Sequence, residues 1–395
     1  MLKFAKRQGT KSLKYDALGE RFGRESLLPL WVADMDCCAP ETVRQAIQQR
    51  VDHGIYGYSD RRLADNSKAA ICSWLETRHE VQDLQLQDCR MYAGVMEALA
   101  VCIEVLCPKT EAVILNSPAY NCFYTALEAS GRKILENYLA HDGKENYSID
   151  LGLLEQQILD SPIKPRILLF CSPHNPVGKV WKERDIYELI RICQKYDLYL
   201  ISDEIHSDLV YPGHKHLSIL RQEFANLYDK IIMISAPSKT FNIPGLRSAY
   251  LISKNKTILQ QLGKFCEQFQ IGDISLSGHL ALEACYSQEQ SKVWLEELKQ
   301  YLKQNRDLLH DYLKERFPEL KHCKPEATYL YWVNCRSFLQ GNPAALRKFF
   351  MDAGLALGWG ELYHGNGWVR INFGCERALL EEALDKWNQA YLNLR

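Results

Sequence analysis

The chain has 395 residues, 47% of them hydrophobic and 25% charged, the balance of an ordinary globular protein long enough for two domains. Its formal net charge of −1 creates no field for nucleic acid or an acidic membrane surface, and no apolar run approaches the roughly 18 residues of a bilayer span. Fourteen cysteines are scattered without a Cys-x-x-Cys pair, and several lie inside apolar runs, which favours reduced thiols in a cytoplasmic protein over a disulfide framework or a metal site.

The opening residues carry Lys3, Lys6, Arg7, Lys11 and Lys14 with no apolar segment after them, so they do not read as a secretory signal. Residues 1–30 read as loop and short helix leading to Leu30-Trp31-Val32-Ala33-Asp34-Met35-Asp36. A helix with Pro40 near its start then runs to about Val51. A glycine-punctuated aromatic loop, Gly54-Ile55-Tyr56-Gly57-Tyr58, precedes a helix over 61–80. From about residue 90, apolar strands at 112–116, 166–171, 198–202, 231–235 and 249–253 alternate with helical periodicity at 95–106, 122–130, 182–196 and 255–266. That alternation predicts a largely parallel α/β sheet, whose ligands bind beyond the carboxyl ends of the strands. From Gly278 a long helix runs to Leu313, interrupted near Cys285–Glu289. Strands at 329–334 and 368–373 and helices at about 343–352 and 377–390 follow. The expected division is a large domain over 46–277 and a smaller α+β domain from 1–45 and 278–395.

Several polar residues fall just past strand ends. Ile231–Ile234 leads into Ser235-Ala236-Pro237-Ser238-Lys239-Thr240, with Arg247 shortly after Pro244-Gly245. A lysine there is desolvated and becomes a carbonyl-reactive amine; a solvated loop lysine is the alternative. Ser238 and Arg247 suit an anion such as a phosphate. Asp203 ends an apolar strand, where a carboxylate needs a cationic partner or caps a helix. Asn175, in Ser172-Pro173-His174-Asn175-Pro176, is a ligand-facing amide or a turn former. Gly94 and Val95 open a helix whose first N–H groups suit phosphate. Tyr120 follows a strand and either stacks on a ligand ring or packs in the core. His174 and His206 read as neighbours of the site rather than catalysts. Arg370, inside an alternating apolar strand, needs a carboxylate from a substrate or from the protein itself.

In order and context, Asn175, Asp203, Lys239, Arg247 and Arg370 resemble the pattern of the fold-type I pyridoxal phosphate (PLP) enzymes, the aspartate aminotransferase superfamily. Trp31–Asp36, Gly54–Tyr58, Ala236–Gly245, Gly365–Gly374 and the opening Arg7-x-Gly9-Thr10-x-Ser12-x-Lys14-Tyr15-Asp16 are similar to its cystathionine β-lyase, or C–S lyase, branch of the MalY/PatB type. The resemblance implies an α/β fold with a large PLP-binding domain and a smaller α+β domain. It implies that Lys239 joins the cofactor and moves protons at the substrate Cα, that Asp203 pairs with the pyridinium nitrogen and Asn175 with the phenolate oxygen, and that Tyr120 stacks on the ring. Gly94, Val95, Ser238 and Arg247 would hold the phosphate, and His206 would lie beside the cofactor. Tyr58 would reach the phosphate of a neighbouring subunit, which makes the active unit a homodimer. Arg370, with the Ala33 main chain and Asn175 nearby, would bind the substrate carboxylate. His206, where aminotransferases carry tyrosine, points to the lyase branch, whereas Arg247 is more usual in aminotransferases.

The expected function is a cytoplasmic PLP-dependent lyase for the Cβ–S bond of cystathionine or related cysteine conjugates, with no metal, nucleic acid or membrane partner. An aminotransferase on the same fold, and a non-catalytic ligand-binding regulator, are the alternatives.

Overall fold

In a computed structural model the chain is described over residues 2–142 and 146–394. Its strands, in chain order, are β1 (Leu28–Leu30), β2 (Cys89–Tyr92), β3 (Ala112–Ser117), β4 (Lys133–Tyr138), β5 (Ala140–His141), β6 (Tyr147–Ser148), β7 (Pro165–Cys171), β8 (Tyr199–Asp203), β9 (Ile231–Ser235), β10 (Ala249–Ile252), β11 (Lys321–His322), β12 (Leu330–Asn334), β13 (Leu355–Trp359) and β14 (Trp368–Asn372). A seven-stranded sheet has the order β2-β10-β9-β8-β7-β3-β4, and a five-stranded sheet the order β1-β13-β14-β12-β11.

The apolar runs of β3, β8 and β9 are buried at every position. Helices cover both faces of the large sheet, so these strands read as continuous rather than alternating hydrophobic segments. The pairs β4–β3, β3–β7, β7–β8 and β8–β9 are parallel, which brings Ser117, Cys171, Asp203 and Ser235 to one edge of the sheet. The strand expected at 249–253 is present as β10, but it runs antiparallel to both β9 and β2.

Helix ends follow local chemistry. Asp60 caps Arg61–His79 by accepting from Arg62 N, and Asn255 caps Lys256–Phe269 by accepting from Thr257 N and Ile258 N. The interruption expected near Cys285–Glu289 is Gln288, whose extended backbone separates Leu276–Ser287 from Glu289–Arg316.

Strands outside the sequence expectations include β1, β4 and β13. β1 is three residues long and carries no period, yet it pairs in parallel with β13 and adds the N-terminal segment to the C-terminal sheet. β13 itself ends in Gly358-Trp359, and β4 is an edge strand of mixed polarity. Among the described residues no helix is long and apolar enough to cross a membrane, and no group of three or more His, Cys, Asp or Glu could hold a metal ion. All fourteen cysteines are free thiols, and only Cys38, Cys72 and Cys122 are partly exposed.

Candidate active site

A cleft of about 310 Å³ opens beyond the carboxyl edge of the large sheet, lined by Ala33, Gly94, Val95, Tyr120, Asn175, Asp203, His206, Ser238, Lys239 and Arg247 among others. Ten of the twelve residues to which the resemblance gives a place at the site thus line one cavity; Arg370 stands behind Asn175, and Tyr58 lies elsewhere.

Lys239 is delivered by the turn after β9. That turn is closed by Phe241 N donating to Pro237 O and Ile243 N donating to Ser238 O. The Lys239 Nζ donates to the Ala33 carbonyl at 2.6 Å. Burial lowers its pKa from 10.5 to about 8, with Asp34 and Asp203 opposing the shift and Arg370 adding to it. Near neutral pH a usable fraction of this amine is therefore unprotonated.

Asp203 closes β8 and is 5% exposed. Its Oδ1 accepts from Ile205 N at 3.0 Å, and no cation of the described residues pairs with it. Burial raises its carboxyl from 3.8 to about 7. An acid held in this way is short of a cationic partner, and a protonated ring nitrogen is one that a cleft of this size admits.

Asn175 follows β7 in a turn that depends on Gly178. Its φ is +70°, and a Cβ there would stand 2.5 Å from Pro325 Cβ. Asn175 Oδ1 accepts from Arg370 Nη1 at 3.1 Å, which leaves its amide nitrogen as the end that can donate to a ligand. Arg370 also donates from Nη2 to Trp31 O at 2.9 Å, and its guanidinium lies 4.6 Å from the centre of the Tyr363 ring. The expected carboxylate partner is absent among the described residues. Arg370 is 3% exposed, and its Nε has no acceptor. A buried guanidinium held by neutral groups is poised for an incoming carboxylate.

Gly94 is the N-cap of the helix Val95–Leu106, and a Cβ at Gly94 would meet nothing within 4 Å. The first N–H groups of that helix have no intrahelical acceptor and face the cleft together with Ser238 and the exposed Arg247. Glu97, which the sequence reading did not single out, caps the same turn by accepting from Ala93 N at 2.6 Å.

Tyr120 sits at the N-cap of the helix Asn121–Ser130, and burial raises its phenol pKa. His206 is buried, with Nδ1 unpartnered; burial and the positive charges of Lys239 and Arg370 lower its pKa to about 3, so it is a neutral neighbour. His174 lies behind the cleft, where its Nε2 faces Asn116 O at 3.3 Å and burial lowers its pKa to about 4. Tyr58 is fully exposed and touches no part of the cleft in its own chain. Beyond the expected set, Tyr329 shares the Ala33 carbonyl, donating at 3.0 Å. No local pattern marks Tyr329, because only the meeting of the two sheets brings it there.

An anion cradle, a lone buried acid and a soft lysine, spaced around one cleft, fit PLP in its phosphate, ring nitrogen and aldehyde. The model for the family described as aminotransferase class I and II matches residues 30–386. The chain is 34% identical over 389 residues to Cystathionine beta-lyase PatB of Bacillus subtilis, covering 96% of each. It is 31% identical to Protein MalY of Escherichia coli, covering 97% of this chain and 96% of that one. Among solved structures, cystalysin of Treponema denticola, described as containing a pyridoxal 5'-phosphate cofactor, superposes with a TM-score of 0.91 at 31% identity, covering 100% of this chain and 98% of that one.

Proposed function

This chain belongs to the aminotransferase class I and II family, and we propose that within it the protein is a PLP-dependent lyase that cleaves the Cβ–S bond of cystathionine or a related cysteine S-conjugate. The observation that carries this reading is full-length similarity to a cystathionine β-lyase together with a cleft that gathers Asn175, Asp203 and Lys239 beyond the strand ends. The products are a thiol, pyruvate and ammonia.

PLP, when bound, supplies an electron-poor ring that spreads the charge left at Cα. Asp203 favours the ring's protonated form, which sustains that property. Arg370 and the Asn175 amide grip the substrate carboxylate and fix the direction of the Cα–H bond. Lys239 takes the Cα proton with its unprotonated amine and holds it as an ammonium. The thiolate then leaves Cβ, and the released enamine hydrolyses to pyruvate and ammonia. His206, buried and neutral beside Lys239, adds no charge to the site.

Supplying cystathionine as the sole substrate tests the reading. Pyruvate and homocysteine should form in equal amounts, with little glutamate from added 2-oxoglutarate. Amino transfer with the higher kcat/KM would replace the lyase by an aminotransferase.

Arg370→Lys keeps the charge but loses the planar fork. Losing one charge-assisted hydrogen bond costs about 1.5–3 kcal/mol, so kcat/KM should fall roughly tenfold to a hundredfold on any α-amino acid thioether. Part of that loss should appear in kcat, because the carboxylate also orients Cα–H. An unchanged kcat/KM per folded site, with a lower Tm alone, would remove Arg370 from the substrate site.

The same reading extends to a homodimer. Residues 51–62 are exposed throughout, and Ile55 and Tyr56 are each 64% exposed on this arm. Such an apolar arm suits burial against a second copy, where Tyr58 would reach the phosphate of the partner's cofactor. A mixture of inactive Lys239→Ala and impaired Tyr58→Phe chains should regain activity after subunit exchange. No recovery despite proven exchange would place Tyr58 outside the site. The parallel pairing of β1 with β13 supports two domains, 46–277 and 1–45 with 278–395, with the cleft at their junction.

A further inference from the structure

The N-terminal motif Arg7–Asp16 plays no part in the chemistry above, yet its side chains converge on one loop. Arg7 makes a two-pronged contact with Asp34, from Nη1 to Oδ1 at 3.0 Å and from Nη2 to Oδ2 at 2.8 Å. Its Nη1 also donates to Asp36 Oδ1 at 3.0 Å and to Met35 O at 2.9 Å, and its Nη2 donates to Ser12 Oγ. Lys14, fully buried, donates to Asp36 Oδ1 at 3.0 Å, and Tyr15 donates to Asp36 Oδ2 at 2.9 Å. Asp16 closes the motif on itself by accepting from Gly9 N and Ser12 N.

The far side of the loop is tied just as densely. Asn242, three residues past Lys239, accepts from Met35 N and donates to Met35 O and Cys37 O. Asn372 donates to Val32 O and Asp34 O. The carbonyl left between these ties, that of Ala33, receives the Lys239 amine and the Tyr329 hydroxyl. The loop therefore has little freedom, and Lys239 rests on its apex.

We propose that the Arg7–Asp16 segment is a buckle for the Lys239 amine: Arg7 fixes the Asp34 carboxylate and, through the loop, the Ala33 carbonyl against Lys239, which makes Arg7 and Asp34 positioning residues for proton transfer at the substrate Cα. The charged and titratable groups around Lys239 include Asp34, Arg370, Asp203, Cys122 and His206, together with the Tyr329 hydroxyl on the same carbonyl. Of these, Asp34 contributes most toward keeping the amine protonated. Arg7 is ion-paired with Asp34 and offsets that charge, so the pair sets both where the amine stands and how readily it gives up its proton.

This inference takes the role of Lys239 from the proposed function, but its first test needs no lyase activity. On the full-length chain freed of cofactor, only the unprotonated amine reacts with an acylating reagent. The rate of Lys239 labelling against pH, read by peptide mapping, gives its midpoint. Asp34→Asn is nearly isosteric and removes the charge that favours the ammonium, so the midpoint should fall by roughly one pH unit. Arg7→Gln leaves Asp34 uncompensated, so the midpoint should rise. In the holoenzyme both variants should lose about tenfold to a hundredfold in kcat, with a smaller change in KM, and the acid limb of the kcat profile should move in the same sense as the labelling midpoint. Arg7→Lys should restore part of the midpoint but not the full kcat, because the fork is lost; it also carries the test if Arg7→Gln does not fold. Midpoints that stay put, or that move the same way in Asp34→Asn and Arg7→Gln, overturn the proposal, and a fall in Tm alone would leave the motif as a structural clasp. Cystathionine cleavage that fails in the wild-type chain, with the labelling shifts intact, would count against the lyase reading and not against the buckle.

Discussion

Lys239→Ala is expected to abolish turnover, with a loss of roughly three orders of magnitude or more, because in the proposed mechanism one side chain both joins the cofactor and moves the Cα proton. The fold should survive, since among the described residues the only side-chain hydrogen bond of Lys239 is to the Ala33 carbonyl, which Tyr329 also occupies. PLP should still bind, held non-covalently by Asp203, Asn175 and the groups at the start of the helix Val95–Leu106. Borohydride reduction of the wild-type enzyme followed by peptide mapping should place a pyridoxyl label on Lys239. A label on another lysine, or Lys239→Ala turnover within about tenfold of wild type, would move the chemistry elsewhere in the chain.

Asp203→Asn should reduce kcat by about a hundredfold or more, the upper range for removing one charge-assisted hydrogen bond, because asparagine cannot hold a ring nitrogen in its protonated form. Its stability should move the other way once the cofactor is removed. Burial raises the Asp203 carboxyl from 3.8 to about 7. Between those values the folded chain keeps a proton that the unfolded chain has released. Stability from this group is thus present below the lower value, falls as pH rises through the window, and stays lost above it. Asparagine has no such term, so stripped Asp203→Asn should melt above stripped wild type at mildly alkaline pH and close to it in acid. Restoring PLP should stabilise the wild type more than the variant. Equal cofactor-induced shifts in Tm in the two proteins would mean that Asp203 does not meet the ring nitrogen. The expected pattern is a site residue that lowers stability in return for function.

The position of Asp203 in sequence, at the end of Tyr199–Asp203, announced that a partner was needed, but the raised pKa could not be read there. Desolvation depends on everything packed around the strand end, including residues far away in the chain. Arg370 shows the same division. Its place in an apolar alternating strand marked a charge in need of a counter-charge, while its neutral protein partners, Asn175 and Trp31, come from segments remote in sequence. The sequence reading left open an internal ion pair, and the structure provides hydrogen bonds to neutral groups instead.

By itself the sequence determined the features encoded over a few neighbouring residues. Buried parallel strands are written as short apolar runs, helices as amphipathic periods with Asp60 or Asn255 at the cap, and the mouth of the cleft as polar residues just past strand ends. The resemblance carried by those motifs then named the family, the fold and the cofactor. Tertiary structure alone decided which backbone atoms face Lys239, how Arg7 reaches Asp34, and that β1 completes the sheet of β13. The first and last of these contacts join segments hundreds of residues apart through backbone groups common to every residue, and Arg7 meets Asp34 from 27 residues away. Such contacts leave no periodicity or composition to read, and they exist only once hydrophobic packing has brought the two sheets together around the loop at Ala33.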